Sequence, residues 1–141
     1  MKISTRGRYA LRMMLDLAEN QGSGVVALKD IAQRQDISKK YLEQIIPVLN
    51  RAGLLQTSRG FQGGYRLAKA PEDYTVGSIL KLTEGGLTAV SCTSEGPAAC
   101  SRSSCCETRP MWDKLDKMID DFFESITLAD LLKESDSGKA E

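Results

Sequence analysis

A mainly α-helical fold with one small β-hairpin is predicted by three features of the sequence. Apolar residues recur at i, i+3, i+4 spacing in several separate segments. Two short β-prone stretches flank Arg59-Gly60-Phe61-Gln62-Gly63-Gly64, where three glycines in six residues suit a hairpin tip. A long apolar-striped helix then follows a stretch without period that holds all four cysteines.

Residues 5–20 open the chain as an amphipathic helix. Tyr9, Ala10, Met13, Met14, Leu17 and Ala18 form its stripe, with Arg8, Arg12, Asp16 and Glu19 placed off it. Gln21-Gly22-Ser23-Gly24 breaks that helix, and Val25-Val26-Ala27 reads as a short strand. A second helix spans 28–35, with Leu28, Ile31 and Ala32 inward. After the turn Asp36-Ile37-Ser38, the Ser38 hydroxyl suits an N-cap for a third helix. Leu42, Ile45, Ile46, Leu49 and Ala52 form its predicted buried stripe. Pro47 lies inside this helix and is expected to bend it, and Gly53 is the expected stop.

Residues 54–58 and 65–68 are the hairpin strands, and Pro71-Glu72-Asp73 turns the chain. Thr75 caps a fourth helix to about Glu84, with Val76, Ile79, Leu80 and Leu82 apolar. Residues 85–107 are expected to be a long functional loop. From Thr108, the residues Met111, Trp112, Leu115, Met118, Ile119, Phe122 and Phe123 make a wide apolar stripe. A short helix capped by Thr127 follows, and 133–141 is expected to be a disordered polar tail.

Two helices joined by a tight turn and followed by a Gly-rich hairpin are the plan of a winged helix-turn-helix. The expected division is a winged helix-turn-helix domain over 1–84, a cysteine loop over 85–107, and a dimerisation helix with a short C-terminal helix over 108–132. Charge supports a polyanion partner for the first part. Residues 1–70 hold 12 Lys/Arg against 5 Asp/Glu, and residues 71–141 reverse this with 7 against 14. The absence of histidine removes a Ser-His-Asp triad, a Cys-His pair and any imidazole metal ligand. The chain is therefore not expected to be an enzyme. No apolar run nears the roughly 20 residues that span a bilayer, and no signal region follows the basic N-terminus, so the expected location is the cytoplasm.

The third helix offers Ser38, Lys39, Lys40, Tyr41, Glu43 and Gln44 to the major groove of double-stranded DNA. Lysine serves phosphates or guanine, glutamine pairs with adenine, and glutamate accepts from cytosine while repelling misplaced phosphates. Arg59 at the hairpin tip suits a narrow minor groove. Ser58, Gly60, Gly63 and Gly64 let the backbone approach phosphates. Solvated lysines and a plain hairpin are the bland alternative.

The cysteines read Cys92-x7-Cys100-x4-Cys105-Cys106. Clustered thiols in a cytosolic chain suit metal or redox chemistry better than a disulfide framework. Thiolates favour iron–sulfur clusters and zinc, yet the spacing is not that of a zinc ribbon. A set of free thiols remains open on spacing alone. Adjacent Cys105 and Cys106 point in different directions in most backbones, so one is a ligand and the other a bystander or alternative.

The sequence resembles the family of regulators that includes IscR, NsrR and CymR. The likeness lies in Lys2-Ile3-Ser4-Thr5-Arg6-Gly7-Arg8-Tyr9-Ala10, Ile31-Ala32 with Ile37-Ser38, and Tyr41-Leu42-Glu43-Gln44. It continues in Ala52-Gly53-Leu54, Ser58-Arg59-Gly60 with Gly63-Gly64-Tyr65, and Ile126-Thr127-Leu128-Ala129-Asp130-Leu131. It is strongest toward the IscR branch. That implies a DNA-binding homodimer, a 2Fe–2S cluster on each protomer, and control of cluster-assembly genes. With Trp112 as anchor, Cys92, Cys100 and Cys106 match the three cysteine ligand positions. The histidine that the best-known members of the IscR branch carry three residues after the last cysteine is Arg109 here. Cys105, Glu107, a partner residue or water are the options for a fourth ligand. NsrR-like members sense nitric oxide with such cysteines, while CymR-like members lack the cluster.

Trp112, Leu115, Ile119, Phe122 and Ile126 approximate a 3.5-residue seam, predicted to pack against the same helix of a second protomer. Two recognition helices related by a two-fold axis then read a pseudo-palindromic operator. A nitric-oxide or redox sensor of the same family is the nearest alternative. A thiol or zinc protein without specific DNA binding is the alternative from another class.

Overall fold

The computed structural model describes residues 2–94 and 100–139. Helices α1 (Thr5–Asn20), α2 (Leu28–Gln35) and α3 (Lys39–Arg51) come first. Strands β1 (Leu55–Ser58) and β2 (Gly64–Leu67) form the hairpin, and α4 (Val76–Glu84), α5 (Arg109–Glu124) and α6 (Leu128–Lys139) follow. This is the expected winged helix-turn-helix with a long helix after it.

Helices α1, α3, α4 and α6 start at a side-chain cap, while α2 and α5 have none. Ser4 accepts from the Gly7 N–H, Ser38 from Tyr41 and Thr75 from Ser78, which satisfies otherwise orphaned donors. Thr127 and Asp130 cap α6 reciprocally, each backbone N–H donating to the other's side chain at 3.0 Å. The helix-turn-helix corner closes at Asp36, whose φ of 52° is left-handed, followed by buried Ile37. Helix α3 runs unbroken through Pro47, which faces solvent, and Gly53 takes φ 73° just beyond its end.

The core lies beneath the helix-turn-helix. Ala10, Met13, Met14 and Leu17 of α1 are fully buried and meet Ile31, Leu42, Ile45, Leu49, Tyr74, Ile79 and Leu128. Burying each large side chain contributes about 1.5–3 kcal/mol. Leu128 and Ala129 belong to this body, and backbone bonds from Val76 to Ile126 and from Leu128 to Tyr74 tie α4 to α6. The short C-terminal helix is thus part of the winged-helix body.

The hairpin pairs Leu55 with Leu67 through Ser58 with Gly64. Behind it, Val26 and Tyr65 exchange backbone bonds of 2.8 and 2.9 Å. Gly64 is required there, since a Cβ would overlap the Val26 carbonyl. The strand expected at 25–27 is reduced to this single bridge, because Gln21–Gly24 and α2 leave room for one residue pair.

Several expectations are corrected. Asp16, placed off the apolar stripe, is buried. Ala52 is exposed because α3 ends at Arg51, and Leu82 is 39% exposed on the outer face of α4. The stretch after α4 is not all open loop: Leu87 is buried, and Ser91–Thr93 forms a 3-10 turn. Residues 133–139 continue α6 instead of forming a disordered tail. Once the capped, docked first turn has nucleated the helix, each further residue adds a hydrogen bond at little entropic cost. Ala140 and Glu141 lie outside the described residues.

Candidate functional site

Ser38, Lys39, Lys40, Glu43 and Gln44 are all exposed on the first turns of α3. Tyr41 differs. It is half-buried, its ring edge meeting Tyr9 at 5.3 Å between centroids. The Ser38 hydroxyl is already engaged as the cap at 3.1 Å. The lysines, Glu43 and Gln44 remain the free groups of the helix.

A polar network beneath α3 fixes its seat. The Arg12 guanidinium stacks over Tyr9 at 5.3 Å and bonds to the Gln35 side chain and carbonyl. Gln35 donates to Asp16 at 3.0 Å, and Arg34 grips the same carboxylate with two bonds of 2.7 and 3.0 Å. The Asp16 side chain is 1% exposed against 40% for Arg34. Such a charge is tolerable in the interior only when paired and hydrogen-bonded. The network therefore joins α1, the end of α2 and, through Tyr41, the recognition helix.

Ser58, Arg59 and Gly60 sit exposed on the wing. With Asn50 from the end of α3, Leu28 from the start of α2, Thr57, Gly63, Gly64 and Tyr65, they line an open cleft of about 480 Å³. Thr57 Oγ1 bonds to Asn50 Oδ1 at 3.3 Å and links helix to wing. Tyr74 pins the wing base, its hydroxyl donating to the Leu54 carbonyl at 2.7 Å and accepting from the Lys69 N–H at 3.0 Å. Burial pushes the Tyr74 phenol above its ordinary value.

The cysteines lie at the other end of the chain. Cys92, Cys100 and Cys106 are half-buried, Cys105 is exposed, and all four are free. Arg109 lies beside two of them, Cys92 and Cys106. Its guanidinium donates to the Cys92 carbonyl at 3.4 Å and to Asp113 at 2.9 Å. Asp113 first, then the charges of Cys92 and Cys100, hold it more firmly protonated. Cys106 Sγ lies 3.2 Å from Thr108 Oγ1. That hydrogen bond, then the backbone N–H groups of Thr108 and Arg109 and the charge of Arg102, draw its thiol below the ordinary value. Arg102, Cys105, Cys106, Glu107 and Thr108 line an open cleft of about 470 Å³. Among the described residues, no three Cys, Asp or Glu side chains converge closely enough to hold a metal ion.

Helix α5 connects this loop to the winged helix. Asp116 accepts from the Ala89 N–H at 2.8 Å. Lys81 of α4 pairs with Asp120 and, at 2.9 Å, with Glu124, which also accepts from Thr75. The apolar stripe of α5 divides in two. Ile119, Phe123 and the following Ile126 pack against Val76, Leu80 and Leu87, while Met111, Leu115, Met118 and Phe122 face solvent. Trp112 is half-buried. Ile119 and Ile126, expected in a seam with a second protomer, are partly buried inside the chain, because α4 covers one edge of the stripe.

A family model described as "Rrf2: Iron-dependent Transcriptional regulator" matches residues 3–134. The chain belongs to the Rrf2 family of transcriptional regulators. Protein rrf2 of Nitratidesulfovibrio vulgaris is 42% identical over 96% of this chain and 89% of its own length. The solved structure of T. potens IscR matches at TM-score 0.76 and 43% identity, covering 96% of this chain and 88% of that one. CymR (YrzC), described as the global cysteine regulator of B. subtilis, matches at TM-score 0.78 and 37% identity over 95% and 98%. The Rrf2 assignment makes the chain a regulator in a non-enzyme class, as its composition predicted. No helix among the described residues is long and apolar enough to cross a membrane.

Within this Rrf2 fold, four contributors escaped the sequence reading. Asp16 stands at the edge of an apolar stripe, and a lone acid there is a signal for a buried pair. Tyr9 and Arg12 read as core and surface, and only the packing of α1 on α3 makes them supports. The closeness of Arg109 to Cys92 spans 17 residues and has no local signature.

Proposed function

We propose that this Rrf2-family chain is a homodimeric DNA-binding regulator that senses iron–sulfur cluster status through a 2Fe–2S cluster held by Cys92, Cys100 and Cys106. The observation that supports the cluster reading is three free, half-buried cysteines in the segment that leads into α5, two of them beside Arg109. The donor chemistry fits: three free thiols with cations beside them suit an anionic, thiolate-ligated group. Cys105 or Glu107, both on the cleft beside Cys106, supplies the fourth ligand, unless a partner residue or water does. When bound, the cluster supplies a centre that is labile to oxidation and to competing ligands.

The chain's own residues do the rest. Arg109 offsets negative charge at the thiols and is itself braced by Asp113. Asp116, Asp120 and Glu124 couple the position of α5 to Ala89 and α4. Lys39, Lys40, Glu43 and Gln44 present one face to the major groove, with Ser38 and Tyr41 seating the start of α3 and with Ser58, Arg59 and Gly60 beside it on the wing. Met111, Leu115, Met118 and Phe122 supply the open part of the dimer seam, with Trp112 at its edge. Burying those four in a partner contributes on the order of 5 kcal/mol. A two-fold pair of such modules reads a pseudo-palindromic operator in the cytoplasm and controls cluster-assembly genes.

Anaerobic isolation with absorption and EPR spectroscopy tests this reading, with each cysteine replaced by alanine in turn. Loss of the visible bands in Cys92→Ala, Cys100→Ala and Cys106→Ala supports it. Colourless, iron-free protein that resists reconstitution refutes it. In duplex selection, Glu43→Ala is expected to relax base preference, and identical selected sites would remove Glu43 from the readout.

A further inference from the structure

Phe61 stands at the apex of the wing, and its side chain touches nothing. It is 102% exposed, against 59% for Phe122, while the other described aromatic residues are half-buried or buried. Single exposed apolar residues are common, so exposure alone decides nothing. The placement is more specific. The register Ser58 opposite Gly64 leaves residues 59–63 as the tip. The Gly63 N–H donates to the Gly60 carbonyl at 3.0 Å, and Gly60 takes φ 108°. The tip is therefore a tight turn that holds a phenyl ring outward, two residues from Arg59.

The surroundings select the occupant. From Gln44 to Pro71 there is no carboxylate side chain, while Arg51, Arg59, Arg66 and Lys69 supply four cations. The immediate neighbours of Phe61 are Gly60 and Gln62, so no apolar patch exists to meet a protein groove. A lone phenyl beside a guanidinium on a basic hairpin fits a slot with negative walls and an apolar floor. The minor groove of DNA is such a slot, and apolar side chains there wedge between base steps and kink the duplex.

We propose that Phe61 enters the minor groove beside Arg59 as an apolar wedge, bends the operator, and favours a pyrimidine–purine step beneath the wing. Such steps unstack most easily, so selection arises without a hydrogen bond to any base. The inference rests on the DNA-binding reading above and adds a contact and a preference to it.

The test uses the full chain and a duplex that it recovers from a random-sequence pool. Phe61→Ala is expected to weaken binding about tenfold, lower the bend seen in circular-permutation gels, and lose the flexible-step preference on reselection. Phe61→Leu retains most of the bend. Phe61→Trp, read against the Trp112 background of the wild type, is expected to show emission quenched by the duplex. Unchanged affinity and bend in Phe61→Ala, or unchanged emission in Phe61→Trp at saturation, overturns the wedge while leaving DNA binding intact. Loss of self-association in Phe61→Ala with bending retained assigns the residue to a protein contact and also overturns it. A wild-type chain that recovers no duplex overturns both readings.

Discussion

Helices α1 and α5 are both 16 residues long, and both carry a strong apolar stripe. Helix α1 buries Gly7, Ala10, Met13, Met14, Asp16 and Leu17, while α5 buries no residue to the same degree. The same local pattern thus serves two ends. In α1 the stripe is closed on all sides by α2, α3, α4, β2 and α6. In α5 it rests on α4 along one edge only, and the opposite edge carries Met111, Leu115, Met118 and Phe122 into solvent. Amphipathicity says that a helix has an apolar face and is silent about what covers it.

The contrast predicts different failures. Leu17→Ala in α1 is expected to cost about 3 kcal/mol by opening a cavity in a closed core, measured by urea unfolding. A cost under about 1 kcal/mol would deny that α1 is the closed member of the pair. The double variant Met118→Asp, Phe122→Asp in α5 is expected to weaken self-association at least a hundredfold while leaving helical content and the wing intact. Sedimentation and circular dichroism check this, and a variant that dimerises like wild type removes α5 from the interface.

Two smaller effects probe the polar contacts of each helix. Arg34→Ala strands the carboxylate of Asp16 and is expected to cost about 2 kcal/mol, a figure lowered because Arg34 is partly exposed. Weakened DNA binding should accompany it, since Gln35 and Arg12 support the seat of α3. Asp16→Asn, which retains hydrogen-bonding capacity, should be milder.

The smallest effect concerns the edge of α5 that is covered. Lys81, then Thr75, hold the Glu124 carboxyl below its ordinary range. Its stabilising contribution is therefore present above the ordinary carboxylate value and lost as pH falls through the depressed one. Asp120, then Glu124, hold Lys81 above its ordinary value, so that contribution persists until strongly alkaline pH. The melting-temperature gap between wild type and Glu124→Gln should be open at neutral pH, shrink as pH falls below the ordinary glutamate value of about 4.3, and close below the depressed one. A gap that persists in acid would show that the pair does not hold α5 to α4.

Local signals in the sequence account for the starts of α3, α4 and α6, the stop at Gly53 and the hairpin. Ser38, Thr75, Thr127 and Gly53 act through bonds and dihedrals within a few residues, and such signals survive without tertiary context. The sequence also indicated which residues of the third helix and the wing are exposed, apart from Tyr41 and Ala52. The remaining features depend on contacts between distant segments. Asp16 is buried because Arg34 and Gln35 arrive from α2 to bind its charge. Ile119 and Ile126 turn inward because α4 lies against one edge of a stripe that is wider than a single neighbour can cover. Arg109 reaches Cys92 because the turn at Ser91–Thr93 folds back toward the start of α5. A one-dimensional pattern fixes the face that a residue occupies, but the energy of that face is set by whatever segment the fold delivers to it.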